Sequence, residues 1–158
     1  MPFVEGTHDG RQAIINVAII DAGRYKEHKE SKNLVLPGVN PYRAVIDTGA
    51  TSTMITTRVV KEMGLQLFNS KLFRIADGKE AWRPGYLFRV AFYGPPVPNG
   101  DSEEDGISQV NTIYPYARGI NGGEINNGLP FDVLLGMDII STGDLIFRKD
   151  FTFRFDFE

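Results

Sequence analysis

One aspartate, Asp47, stands where an apolar run meets a tight turn rich in hydroxyl groups. Residues 44–52 read Ala-Val-Ile-Asp-Thr-Gly-Ala-Thr-Ser. A carboxylate at the end of a buried strand is costly unless neighbouring donors satisfy it. Gly49 allows the backbone to approach closely, and Thr48 is one of three hydroxyl-bearing residues in the turn. The pattern predicts an aspartate held in a fixed position, as a group doing acid–base chemistry must be.

Composition narrows the chemistry that is open to this chain. Its 158 residues include no cysteine and two histidines, His8 and His28, that are far apart in sequence. Thiol nucleophiles, disulfides and zinc–thiolate sites are therefore excluded, and a histidine metal cluster or a Ser–His triad is poorly supported. We expect no metal and no cofactor. The net charge of −3 gives no reason to expect nucleic acid as a partner.

Neither a membrane-spanning apolar run nor a leader-like segment is evident in the sequence. The expectation is a soluble, cytoplasmic protein with no membrane partner within this chain. Attachment to a membrane through a longer parent chain stays open.

Alternating and β-branched patterns predict a mostly β chain that forms one domain over residues 1–158. Strands are predicted at residues 12–20, 34–36, 44–46, 54–55, 71–76, 80–93, 107–116, 131–135, 145–148 and 151–157. Short helices are predicted at residues 58–63 and 137–141. Loops are predicted at the charged residues 21–33, at an insertion of about 95–106, and at the Gly- and Asn-rich residues 118–128. In the extended C-terminal strand, four phenylalanines should share one face.

Three segments, in this order, resemble the retroviral-type (retropepsin-like) aspartic proteases, and especially their single-domain, non-viral relatives. The first is residues 45–51, around Asp47. The second, residues 75–78, is similar to the hairpin that forms the family's flap, with isoleucine in place of the usual threonine. The third, residues 132–140, is similar to the apolar segment that passes beside the catalytic loop and leads into a short helix. Asp-Thr-Gly alone is a weak motif, but the combination is specific.

The resemblance implies a role for each matching position. Asp47 would be the catalytic carboxylate. Thr48 would bond across a dimer axis, Gly49 would hold the outer carboxylate oxygen through its N–H, and Ala50 would complete the loop. The flap residues would close over an extended peptide and exclude water; they are Ile75, Ala76, Asp77 and Gly78. Structural support for the site would come from Leu134, Leu135 and Gly136.

The chain carries a single Asp-Thr-Gly, while the chemistry of the family needs two carboxyls that share a proton. Residues 141–144 contain similar letters in the wrong order. The resemblance therefore implies a symmetric homodimer with Asp47 of each subunit at the two-fold axis. The expected fold is an all-β, partly closed barrel of the retroviral aspartic protease type with one or two short helices. The expected activity is endopeptidase cleavage of peptide or protein substrates by general acid–base activation of water.

Two other interpretations stay open. A catalytically silent dimer of the same fold could act as a peptide-binding or assembly module, and Ile75 and the insertion keep this alternative alive. A non-proteolytic hydrolase could pair one aspartate with another acid such as Glu80 or Asp144. Asp138, at the start of a predicted helix, is interpreted as structural because a carboxylate there favours the helix dipole. Phe73 and Trp82 either line a pocket or pack the hairpin.

Overall fold

Strands account for most of the molecule. The computed structural model describes residues 2–30, 41–74, 77–94, 97–98, 109–110 and 113–158, with the side chains of residues 27–30, 97–98 and 109–110 excepted. The strands are β1 Phe3–Thr7, β2 Ala13–Asp21, β3 Tyr42–Ile46, β4 Met54–Thr56, β5 Leu67–Arg74, β6 Glu80–Tyr93, β7 Val97–Pro98, β8 Gln109–Val110, β9 Ile113–Pro115, β10 Ile120–Ile125, β11 Val133–Leu135, β12 Asp144–Phe147 and β13 Thr152–Asp156. The helices are α1 Ala22–Glu30, α2 Thr57–Met63 and α3 Met137–Ile140.

The main sheet curls into a ring. Its strands follow the order β10-β4-β11-β3-β2-β6-β5, and β9 pairs with β6. Because β10 pairs in parallel with β4 and antiparallel with β6, the path through these strands returns to its start. The β5–β6 hairpin continues outward from this ring. An all-β, partly closed barrel of the retroviral protease type was the sequence prediction, and it is confirmed. The described residues contain three helices rather than one or two.

A separate three-stranded sheet, in the order β1-β13-β12, holds the C-terminal strand in its centre. Phe153, Phe155 and Phe157 are buried in the main core, as the alternation predicts. Phe151 departs from the pattern, since it is 57% exposed and has a left-handed backbone with φ of 64°. Its N–H bonds to the carbonyl of Arg148 in the β12–β13 turn, so the turn and not the strand sets its direction.

Two sequence predictions fail where tertiary contacts outweigh composition. Residues 118–128, expected as a loop, contain β10. The glycines of that strand are needed because the rings of Phe88 and Phe73 occupy the space where Cβ atoms of Gly122 and Gly123 would stand. A glycine-rich strand of this kind lets an aromatic ring approach the backbone closely.

Residues 21–33, expected as a charged connection, begin with α1. Asp21 accepts hydrogen bonds from the N–H groups of Gly23 and Arg24, which is the role of an N-cap. Tyr25 packs against a small buried cluster, and the Arg89 guanidinium lies 4.1 Å from the centroid of the Tyr25 ring. Strand β1 was also missed.

Several predicted features fall outside the described residues: the strand at 34–36, most of the 95–106 insertion, and most of the N-terminal part of the strand at 107–116. Within the described ranges, no helix is both long enough and apolar enough to cross a membrane.

Candidate active site

Asp47 is the residue directly after β3, which is the middle strand in the order of the main sheet. Strand β3 lies between β2 and β11, and the N–H of Asp47 donates to the carbonyl of Leu135 at 3.0 Å. The chain then turns back, since the N–H of Ala50 donates to the carbonyl of Asp47 at 3.2 Å. Apolar strands on both sides thus fix the backbone from which the carboxylate projects, as the apolar run before Asp47 predicts.

A backbone donor of its own turn holds the carboxylate of Asp47. The N–H of Gly49 donates to Oδ1 of Asp47 at 2.9 Å. The side chain of Asp47 is half-buried, while Thr48 and Gly49 are exposed at the surface. The carboxylate is therefore oriented by the protein and still accessible from outside.

The segment after β11 clamps the turn from the other side. The N–H of Met137 donates to the carbonyl of Ala50 at 2.8 Å, and the N–H of Asp138 donates to the carbonyl of Thr51 at 3.2 Å. Gly136 lies directly against the turn, because a Cβ atom there would stand 2.5 to 2.9 Å from three backbone atoms of Ser52. Only glycine fits this contact without displacing the turn.

The strongest contacts between this segment and the turn join Thr53 and Asp138. Both carboxylate oxygens of Asp138 lie within 3.0 Å of the Thr53 N–H, and the Thr53 hydroxyl donates to Oδ1 at 2.6 Å. The same hydroxyl accepts from the N–H of Gly136 at 3.1 Å. Thr53 is fully buried, so these groups depend on each other and not on water. Asp138 was interpreted as structural through the dipole of a helix; its main contacts are these bonds to Thr53.

Sequence reasoning missed Thr53. Its partner Asp138 lies 85 residues away along the chain, so no local pattern connects the two. A buried threonine in a turn that already carries several hydroxyl groups gives no separate signal.

Leu134 and Leu135 belong to β11, which lies between β3 and β4. In the parallel register with β3, Leu134 is opposite Val45 and Leu135 is opposite Ile46. Leu135 is buried, and its carbonyl is the acceptor for the Asp47 N–H. The third motif segment therefore lies against the first, which the sequence resemblance implied without showing the contacts.

The hairpin between β5 and β6 carries the second motif segment. Asp77 accepts a hydrogen bond from the N–H of Lys79 at 2.9 Å, and Gly78 has a left-handed φ of 83°, which suits glycine. Ile75 and Ala76 lie outside the described residues. Phe73 packs its ring against Gly123 of β10. Trp82, by contrast, is 69% exposed.

The two other acids that were considered as partners of Asp47 have different surroundings. Glu80 pairs with Arg74 at 3.1 Å on the hairpin, and Asp144 is exposed on β12. In the part of the chain that the structure describes, neither acid forms a hydrogen bond with the Asp47 turn, and no three His, Asp or Glu side chains are placed to hold a metal ion.

Comparisons with known proteins agree with this architecture. A family model described as "Aspartyl protease" matches residues 34–99, a stretch that contains the Asp47 turn and the β5–β6 hairpin. A search of curated proteins finds no significant match. Among solved structures, the chain is similar to a retropepsin-like aspartic protease from Rickettsia conorii, with a TM-score of 0.53 and 14% sequence identity. That match covers 99% of this chain and 91% of the other. At this identity the likeness shows the fold, and the family match supports aspartic protease function in general. The chain therefore has a retropepsin-like fold, and residues 34–99 within it match the aspartyl protease model.

Proposed function

We propose that this protein, as a single domain over residues 1–158, is an aspartic endopeptidase and that its active form is a symmetric homodimer. The observation that carries the proposal is the Asp47 turn: a half-buried carboxylate oriented by the Gly49 N–H. This turn is braced by the segment that follows β11. A side chain held this way can act in proton transfer without first reorganising.

The proposed chemistry needs two carboxyl groups, and each subunit supplies one. Two carboxyls in contact do not both ionise readily, so the two Asp47 side chains share a proton. The ionised partner takes a proton from a water molecule while the water oxygen attacks the peptide carbonyl carbon. The protonated partner donates its proton to the carbonyl oxygen. The pair then donates a proton to the leaving amine and takes a proton from one hydroxyl of the tetrahedral intermediate. The C–N bond breaks, the carbonyl re-forms as part of a carboxylic acid, and the pair again holds one proton.

Dimer formation is supported by the exposure of the turn. Thr48 and Gly49 lie at the surface, where the corresponding turn of a second copy can reach them. In the proposed dimer Thr48 braces the two turns across the axis, and Ala50 keeps the turn attached to Met137. We assign flap closure over an extended substrate to residues 75–78, at the end of the β5–β6 hairpin, and support of the site to Leu134, Leu135 and Gly136.

The test compares wild type with Asp47→Asn on a random peptide library at several pH values, with the oligomer mass measured for both. Asp144→Asn is a matched control, since it makes the same chemical change at an exposed aspartate on β12. We expect cleavage at acidic to near-neutral pH by wild type and the control, and none by Asp47→Asn. Cleavage by Asp47→Asn at the wild-type rate would refute the assignment. A stable dimer that cleaves nothing would favour the peptide-binding module.

Mixing the subunits tests the shared site directly. If each active site needs Asp47 from both subunits, only dimers with two wild-type subunits are active. An equal mixture of wild type and Asp47→Asn that has exchanged subunits should then retain about a quarter of the activity of wild type at the same total protein concentration. If each subunit worked alone, the mixture would retain about half. The second outcome would exclude the two-subunit mechanism while leaving proteolysis intact.

A further inference from the structure

A cavity of about 330 Å³ opens beside the Asp47 turn. Ile46 and Thr48, the two neighbours of Asp47 in sequence, line one side of it. The rest of the lining includes Arg11, in the connection between β1 and β2, and Ala13, the first residue of β2. Its volume lies at the lower end of the range of about 300–1,000 Å³ that small-ligand pockets occupy. The cavity is thus large enough for a side chain and adjoins the proposed reactive carboxylate.

Polar and apolar groups share the walls of the cavity: Gln12 and Thr48 contribute polar side chains, and the one guanidinium of the lining belongs to Arg11. Ala13, Ile46 and Phe147 provide the apolar surface. The Arg11 side chain is exposed, and among the described residues no carboxylate forms an ion pair with it. Asp9 is the nearest acid in sequence, and its Oδ1 accepts from the backbone N–H groups of Arg11 and Gln12. The guanidinium is therefore available to an anion from outside.

His8 packs into this wall. Its Nδ1 accepts from the N–H of Gly10 at 3.2 Å, and its Nε2 donates to the carbonyl of Arg148 at 3.0 Å. The imidazole stands edge-on to Phe147, with ring centroids 5.3 Å apart. Both ring nitrogens are thus occupied, and Arg11 is the lining residue whose charge can recognise an anion.

We propose that this cavity is a specificity subsite for a glutamate side chain of the substrate, with Arg11 as the specificity-determining residue. The proposal rests on the proposed function. An extended peptide that passes Asp47 points alternate side chains to opposite sides. The methylene groups of glutamate would pack on Ala13, Ile46 and Phe147, and its carboxylate would pair with the Arg11 guanidinium in the two-bond geometry that suits these groups.

The experiment uses pairs of peptides from the cleaved library that differ only by Glu or Gln at one position near the cleaved bond. At the position that enters the cavity, wild type should cleave the Glu peptide with a kcat/KM about three- to tenfold higher, as expected for a partly exposed ion pair. The difference should lie mainly in KM and should shrink at high salt. Arg11→Met should bring the Glu/Gln ratio to about one, and Arg11→Glu should invert it.

Arg24→Met is the matched control, because Arg24 is exposed on α1 and does not line the cavity. It should keep the wild-type ratio. The oligomer mass of Arg11→Met is measured alongside. A Glu/Gln ratio near one for wild type at every position would overturn the proposal, and so would a ratio that survives Arg11→Met. A change in oligomer mass on Arg11→Met would assign the cavity to a subunit contact and overturn the subsite.

Binding separates failure of the subsite from failure of the proposed function. If wild type cleaves nothing, endopeptidase activity is refuted. Binding of the same labelled Glu and Gln peptides to the Asp47→Asn protein, measured by fluorescence anisotropy, then tests whether the cavity prefers glutamate. Tighter binding of Glu that is lost in the combined Asp47→Asn, Arg11→Met variant supports it. Equal binding of Glu and Gln, or no binding of either, refutes it.

Discussion

Removing the carboxylate of Asp138 should destabilise the protein far more than a surface aspartate substitution does. The carboxylate of Asp138 accepts hydrogen bonds from both the N–H and the hydroxyl of Thr53, and Thr53 is fully buried. Hydrogen bonds to charged groups contribute about 1.5–3 kcal/mol each. Asp138→Asn keeps one acceptor oxygen and loses the charge, which should cost about 1.5–3 kcal/mol. Asp138→Ala leaves two buried donors without an acceptor and should cost about 3–5 kcal/mol.

Thr53→Val tests the same contact from its other end. Valine has nearly the shape of threonine and keeps the backbone N–H, but it removes the hydroxyl that donates to Asp138 and accepts from Gly136. Loss of these two bonds should cost about 2–4 kcal/mol. Combining Thr53→Val with Asp138→Asn should cost less than the sum of the single changes, with a coupling of about 1–3 kcal/mol, because both remove the same hydroxyl–carboxylate bond.

The assay is urea unfolding of wild type, the three single variants Asp138→Asn, Asp138→Ala and Thr53→Val, and the double variant Thr53→Val with Asp138→Asn. All are measured at one protein concentration because oligomerisation changes apparent stability. Asp144→Asn, at an exposed position on β12, should stay within about 0.5 kcal/mol of wild type. The reasoning is refuted if Asp138→Asn behaves like this control, or if the free-energy changes of Thr53→Val and Asp138→Asn add without coupling.

Two further changes test neighbouring contacts. Gly136→Ala should destabilise the protein by about 1–3 kcal/mol in the same urea assay, because its Cβ would meet the backbone of Ser52; an unchanged midpoint would show that the turn yields easily. Burial is the main cause that raises the pKa of Tyr42 well above its usual range, and the hydrogen bond to Glu62 at 2.7 Å is the second. The stability from this raised pKa is present below about pH 10, the pKa of tyrosine in an unfolded chain, and is lost as the pH rises further. Tyr42→Phe should reduce that alkaline loss, measured by urea unfolding across the pH series, and an unchanged slope would contradict the assignment.

The Asp47 turn could be predicted from sequence because its determinants are local. An apolar run, an aspartate and a glycine two residues later are enough to place the carboxylate beside a backbone donor. The hairpin turn at Gly78 is local in the same sense, since its left-handed backbone is one that glycine readily adopts. For both features, the physics that determines the structure acts within a few residues.

Strand β10 could not be predicted in this way. Its Gly122 and Gly123 are typical of a loop when seen alone, and they become strand residues because the rings of Phe88 and Phe73 pack onto them from other strands. Helix α1 is a similar case, since its Tyr25 is held by the Arg89 guanidinium from β6. In both cases tertiary packing outweighs local propensity.

The hydrogen bonds between residues 136–138 and the Asp47 turn explain why the first and third motif segments occur together. The Asp47 turn satisfies one carboxylate oxygen with its own Gly49, but the carbonyls of Ala50 and Thr51 and the N–H of Thr53 bond to residues 137–138. Under the proposed function this matters more than it would in a site contained in one chain. Each subunit must present its carboxylate at the two-fold axis with no help from a second motif of its own. A displacement of the turn is repeated by symmetry in the partner, so it changes the separation of the two carboxylates from both sides. We therefore expect residues 136–138 to determine whether the two carboxylates come within reach of one proton.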